Sequence, residues 1–270
     1  MLAKVFNNDR NLRIDHKKLL STNITNIKTL NIVDDYLADY AKFHNLSIGD
    51  ISSRHNNFVS NYLKNINDYL SKGKYPSLLG VVHPIGRVDY DISLIISTVV
   101  AIHRYRIIEK FVKYIPRIKG NVLIVGLGSG LELELLNGVK NKINVDAYDI
   151  SITEFVKNRF NKIFNIVESE FKGKNGGYDH IIAIELLEHL EDPYHFLSMC
   201  YNSLNEDGTL VTTTATNVPQ FDHLFNFDDD NAFDREINGI GFDVSLKEDI
   251  PHNYMIKNIN SKNTWYILKK

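Results

Sequence analysis

The chain has 270 residues, 43% hydrophobic and 24% charged, with a formal net charge of −2; it admits one large domain or one domain with an extension, and its charge gives no electrostatic case for a nucleic-acid partner. The single cysteine, Cys200, excludes an internal disulfide and points to a reducing cytoplasm. The N-terminal MLAKVFNNDRNLR lacks an apolar run of signal-peptide length, and the most apolar stretch, ISLIISTVVAI (Ile92–Ile102), is far shorter than the roughly 20 residues of a membrane span.

The first third reads as helical. In NIVDDYLADYAKF, Val33, Tyr36, Leu37, Tyr40 and Phe43 share one face at helical spacing. NNFVSNYLKNINDYLSKGKYP repeats the pattern with Phe58, Val59, Tyr62, Leu63, Ile66, Tyr69 and Leu70, and Gly73 and Pro76 supply stop signals. KYPSLLGVVHPIGRVDYD has the glycines and prolines of a loop. Asp91 stands where it would cap one long helix, ISLIISTVVAIHRYRIIEKFVKYIP, closed by Pro116. From Asn121 strands and helices alternate. NVLIVG, INVDAYD, FNIVE, YDHIIAIE, GTLVTTTAT, FDVSLK and TWYILKK read as strands, and LELELL opens a helix. Further helices are SITEFVKNRFNKIF, capped by Ser151, then PYHFLSMCYNSL and DNAFDREINGIG. The alternation predicts an α/β fold with a parallel sheet and helices on both faces. The last two strands, with no helix between them, are expected as an antiparallel pair at the sheet edge.

NVLIVGLGSGLELELL places Gly126, Gly128 and Gly130 between a strand and a helix. The spacing G-x-G-x-G is not the dinucleotide G-x-G-x-x-G, because Leu131 occupies the sixth position, and no P-loop lysine follows. The glycines still let a ligand approach the backbone closely. The next strand ends in Asp149, where an acid can accept hydrogen bonds from both hydroxyls of a ribose. After the fourth predicted strand comes ELLEHLEDP. With these pieces in order, VLIVGLGSG, VDAYDIS, IELLEHLEDP and LNEDGTLVTTTATN, the chain resembles the class I S-adenosylmethionine-dependent methyltransferases from about Lys119 to its end.

The resemblance implies a Rossmann-like, seven-stranded, mostly parallel sheet over residues 119–270. Residues 1–118 form a helical extension that serves as a substrate lid or as a dimerisation region. It implies that Gly126, Gly128 and Gly130 line the methionine and ribose of the cofactor, that Asp149 binds the ribose and Ile150 flanks the adenine, and that Glu185 lies beside the methionine moiety. Either Glu168 or Glu170 reaches the adenine. The family's usual acid two residues before the first glycine is Ile124 here, so the cofactor's amino group needs another partner, Glu185 or backbone carbonyls. His189 and His223 are the candidate bases on the carboxyl-end rim. His83, Tyr90, His103 and Arg104 are candidate substrate contacts. Glu185, Glu188 and His189, at i, i+3 and i+4, share one face if this turn is helical; with His223 they also resemble a divalent-cation set found in some small-RNA and ubiquinone-pathway methyltransferases, its two carboxylates suited to Mg²⁺ or Mn²⁺, a reading left open beside the metal-free one. The expected activity is methyl transfer to a small-molecule acceptor in the cytoplasm, by a monomer or homodimer, without nucleic acid or membrane. An RNA or protein acceptor, or a silent cofactor-binding protein, are the alternatives.

Overall fold

The computed structural model describes residues 1–22, 26–72, 86–220, 222–227, 229–252 and 260–270. Gly73, Pro76 and His83 lie outside them. The chain begins with α1 (Leu2–Asn8), α2 (Arg10–Leu20), α3 (Ile27–Phe43) and α4 (Ile48–Lys72). The apolar pattern predicts only the last two. Asp9 separates the first pair: its carboxylate accepts from the N–H groups of Asn11 and Leu12 at 2.9 and 3.0 Å and so caps α2.

Two departures from the sequence reading follow. Helix α5 (Arg87–Val100) begins before Asp91, which is therefore not its cap. Asp91 is fully buried, paired with Arg87 one turn earlier at 3.0 Å and accepting from the Tyr40 hydroxyl at 2.9 Å. Burial pushes its carboxyl up to about 6. The expected single helix also breaks at Ala101, whose extended backbone (φ −100°, ψ 118°) ends α5 and starts α6 (Ile102–Tyr114). Alanine carries no local stop signal, so packing decides. The break lets Ile92, Ile95 and Val99 on one side, and Ile107, Ile108 and Phe111 on the other, all be buried.

The rest alternates as β1 (Gly120–Val125), α7 (Leu131–Asn137), β2 (Ile143–Asp149), α8 (Glu154–Phe160), β3 (Asn165–Glu168), β4 (Tyr178–Ala183), α9 (Pro193–Ser203), β5 (Leu204–Thr216), α10 (Asp230–Ile240), β6 (Asp243–Pro251) and β7 (Lys262–Lys269). The cap of α8 is Thr153, whose hydroxyl accepts from the Val156 N–H at 3.4 Å, rather than Ser151, whose N–H turns back to Asp149. The seven strands lie in the order β3-β2-β1-β4-β5-β7-β6. The first five are parallel, and β7 runs antiparallel to β5 and β6.

Side chains alternate between the sheet's faces. Val122 and Ile124 of β1 join one apolar core, with Leu131 of α7 and Val156 of α8. Leu123 and Val125 join a second, with Phe196 and Cys200 of α9 and Ile237 of α10. Val33, Tyr36 and Leu37 of α3, and Ile92 and Ile95 of α5, belong to the first core. The helical extension is thus packed into the same core as the sheet. Among the described residues, no helix is long and apolar enough to cross a membrane.

Candidate active site

The strand order reverses at β1, with β2 on one side and β4 on the other. In such sheets the crevice beyond the carboxyl ends of the strands at this point receives the ligand. A cavity of about 1230 Å³ lies there, walled by the strand-end loops and by residues of α4, α5 and α6.

The glycine turn forms its floor. Gly128 and Gly130 have φ of 48° and 81°. A Cβ on Gly130 would stand 2.8 Å from both the Tyr36 hydroxyl and Val156, so only glycine fits. Asp149 fastens the turn to the end of β2. Its Oδ2 accepts from the N–H of Leu127 (2.7 Å) and Gly128 (3.2 Å), and its Oδ1 from that of Ser151 (2.9 Å). The helical layer grips the turn's carbonyls from the other side. Arg87 donates to Gly128 O at 2.5 Å and Tyr36 to Ser129 O at 2.6 Å. Next to Asp149, Ile150 is 79% exposed at the cavity rim, an apolar surface with no protein cover. Of the two acids considered for the adenine, Glu170 lines the cavity. Glu168 is engaged by the Ile152 N–H and by Lys157, both at 2.9 Å.

Beyond β4, Glu185 adopts φ 52°, a conformation costly for a residue other than glycine or asparagine. It is held there from three sides. Arg104 of α6 pairs with Oε2 at 3.0 Å, and Thr213 (2.9 Å) and Asn263 (2.7 Å) donate to Oε1. Asn263 also meets His252 at 2.7 Å, and His252 stacks on His103 at 3.8 Å between ring centroids. Burial holds both imidazoles below their ordinary range, so both are neutral at neutral pH. Arg104 and His103 therefore stand among the strand-end polar groups rather than loose in the helical wall.

The next turn, Leu187–His189, is a single 3-10 turn that excludes Glu185, so the acids and His189 do not share a helical face. Glu188 is 1% exposed, and its Oε2 has no hydrogen-bond partner. Burial, then the charge of Glu185, raises its carboxyl well above the usual range. The Nδ1 of His189 meets the carbonyl of Asp222 at 3.0 Å, and Asp222 also accepts from the Tyr90 hydroxyl at 3.2 Å. Burial lowers the His189 imidazole, but Asp222 and Glu188 outweigh it and the net shift is upward. His223 lies edge-on to His189 at 4.8 Å, and burial pushes it down to about 3. Glu188, His189 and His223 offer ligand atoms within 4.8 Å of one another, and Glu185 is not among them.

Of the residues singled out in the sequence, Gly126, Gly128, Asp149, Ile150, Glu185, Glu188, His189, His223, Tyr90, His103 and Arg104 line this one cavity. Gly130 faces Tyr36 and Val156 instead. Glu132, Asp222, His252 and Asn263 were missed. Glu132, two residues past Gly130, carried a local signal as an acid in the first turn of α7. Asn263 and His252 carried none, because only the β6–β7 pairing brings them here.

Residues 100–258 match a family described as a methyltransferase domain. No curated protein matches the chain. Among solved structures, phosphoethanolamine N-methyltransferase 2 of Haemonchus contortus, in complex with S-adenosyl-L-methionine, superposes with a TM-score of 0.53 at 11% identity, over 67% of this chain and 57% of that one. A Galdieria sulphuraria protein assigned to sarcosine dimethylglycine methyl transfer gives 0.53 at 10% identity, over 62% and 86%. The cyclopropane synthase MmaA2 of Mycobacterium tuberculosis gives 0.50 at 12% identity, over 62% and 84%. At these identities the likeness is one of fold.

Proposed function

The chain belongs to the methyltransferase-domain family as an S-adenosylmethionine-dependent methyltransferase, and from that premise we propose that it methylates a small acceptor enclosed between the strand ends and the helical layer. The observation that carries this reading is the cavity. Its volume of about 1230 Å³ exceeds the roughly 300–1,000 Å³ of a typical single-ligand pocket, which leaves room for an acceptor beside the cofactor. Residues of α4 and α5 line the space opposite the glycine turn's strand ends.

The floor fits the cofactor. The glycine turn keeps side chains out of its path, Asp149 ends β2 beside the turn, and exposed Ile150 offers an apolar face to the adenine. When bound, the cofactor supplies an electrophilic methyl group on a positively charged sulfur. The protein's part is to align a nucleophile, exclude water and remove a proton. Phe58, Tyr62 and Leu63 of α4 supply an apolar wall for the acceptor's body. His189 is the base we assign. A carbonyl only accepts, so the bond to Asp222 O places the ring proton on Nδ1 and leaves Nε2 as the basic nitrogen. Tyr90 and Asp222 orient the ring. His223, neutral beside it, adds no competing charge.

The same cluster supports a second reading. Glu188, His189 and His223 could hold a divalent cation, and with two imidazoles to one carboxylate the set suits a borderline ion such as Zn²⁺ better than Mg²⁺. Dialysis against a chelator followed by calorimetric titration with Zn²⁺ or Mn²⁺ tests it: binding that disappears in His223→Ala supports the cation, and no binding removes it. The acceptor class is tested by incubating the protein with methyl-labelled cofactor and separate pools of small metabolites, RNA and protein. Label is expected in the low-mass pool. Label in RNA or protein alone overturns the small-acceptor reading, and no cofactor binding at all overturns the enzyme.

A further inference from the structure

We propose that Glu132, Glu185 and Arg104 form a clamp for the amino-acid end of the cofactor, replacing the acid that Ile124 does not supply. The proposal rests on the cofactor reading above. The three side chains come from different elements, the first turn of α7, the end of β4 and the first turn of α6, and all line the cavity beside the glycine turn. Ile124 is 1% exposed in the first core, so its side chain is given over to packing.

The charges of the cluster do not balance internally. One guanidinium faces two carboxylates. Arg104 pairs with Glu185 at 3.0 Å, and both Glu185 and Glu132 act on Arg104 electrostatically. Among the described residues Glu132 makes no ion pair, and burial together with the charge of Glu185 raises its carboxyl. The second carboxylate is ionised only at a cost in this poorly solvated place, and a bound cation that the protein itself does not provide would relieve that cost. On the other sign, Arg104 lines the cavity and spends Nη1 on Glu185, which leaves the other terminal nitrogen of its fork to donate to an anion. A site with a spare carboxylate and a spare guanidinium N–H, side by side, is complementary to a zwitterionic amino acid. The α-ammonium lies between Glu132 and Glu185, and the α-carboxylate takes Arg104. The three bonds that pin Glu185 in its strained conformation hold the acceptor oxygens of this clamp ready before the ligand arrives.

An acceptor amine is the other source of such a cation, and two nucleosides tell the sources apart. S-adenosylhomocysteine carries the amino-acid end; 5′-methylthioadenosine shares the adenosine and thioether and lacks it. Calorimetric Kd values for both are measured on the full chain, on Glu132→Gln and on Arg104→Lys, with circular dichroism to check folding. The wild type is expected to bind S-adenosylhomocysteine at least 10-fold more tightly. Each variant is expected to lose about 10-fold for S-adenosylhomocysteine and to keep its Kd for methylthioadenosine within twofold. Equal wild-type affinity for the two nucleosides overturns the clamp alone, as do variants that weaken both ligands alike. A wild type that binds neither nucleoside overturns the cofactor site itself.

Discussion

Asp149 shows how one side chain joins two tasks. Its carboxylate accepts three backbone N–H groups that shape the glycine turn, and the same group ends the strand where a ribose would lie. Asp149→Ala should weaken binding of S-adenosylhomocysteine by about 1–3 kcal/mol, the scale of charge-assisted hydrogen bonds, or roughly 5- to 150-fold in Kd by calorimetry. The melting temperature should fall as well, because the turn loses its internal acceptor. An unchanged Kd would place the ribose elsewhere. His189 makes a second residue-scale prediction. As a base it must be neutral, and its imidazole is shifted above the ordinary value near 6.5. Activity should therefore rise with pH through an apparent pKa above 6.5. His189→Gln should cut kcat by about 10²–10⁴-fold with the cofactor Kd unchanged. A variant with full kcat would remove the base.

At the scale of elements, helices α3 and α5 serve as supports of the glycine turn through Tyr36 and Arg87. Tyr36 is fully buried, and Tyr36→Phe leaves the Ser129 carbonyl without its donor. The expected cost is about 1–2 kcal/mol of stability, measured by denaturant unfolding, together with weaker cofactor binding although Tyr36 is not among the cavity-lining residues. Stability and Kd equal to the wild type would show that the support is dispensable. This coupling was invisible in the sequence, where Tyr36 reads only as one member of an aromatic stripe. What was legible there was local. Strand, glycines and helix follow one another within Asn121–Leu136, and Asp149 and the ELLEH stretch each stand at the end of a strand readable from its own residues, alternating in β2 and apolar toward the end of β4. What was hidden depends on packing. Ala101 interrupts a helix without any glycine or proline, Asp91 has a capping residue's identity but a buried ion pair's position, and Glu185 leaves the helical face that its spacing to Glu188 suggested. Asn263 and His252 reach the site only because β7 inserts between β5 and β6.

For the molecule as a whole, buried imidazoles set the response to acid. His55 is pushed down to about 4 and His223 to about 3, and His103 lies well below its usual value, in each case first by burial. Below about pH 6.5 the unfolded chain binds protons that the folded chain refuses. The stability held by each neutral ring is intact above that pH and is lost as pH falls toward its folded value. By pH 5 His55 alone accounts for about 2 kcal/mol. His189, shifted the other way, contributes below pH 6.5 and loses its contribution as pH rises through its folded value. Urea unfolding at pH 7 and pH 5 should show the acid loss, and His55→Gln should shrink it; equal losses in both proteins would mean that His55 is protonated or solvated when folded. The two carbonyls of the glycine turn gripped by Tyr36 and Arg87 have a further consequence. With the cofactor on this turn, as proposed, its occupancy and the order of the helical layer form one equilibrium, and it should act as a folding ligand for residues it never touches. At a free concentration 100 times its Kd it adds about 2.7 kcal/mol to any opening that releases it. Backbone amides of α3 that exchange with solvent through that opening should then do so about 100-fold more slowly, and a hydrogen-exchange map would show the binding event written into the first fifty residues of the chain.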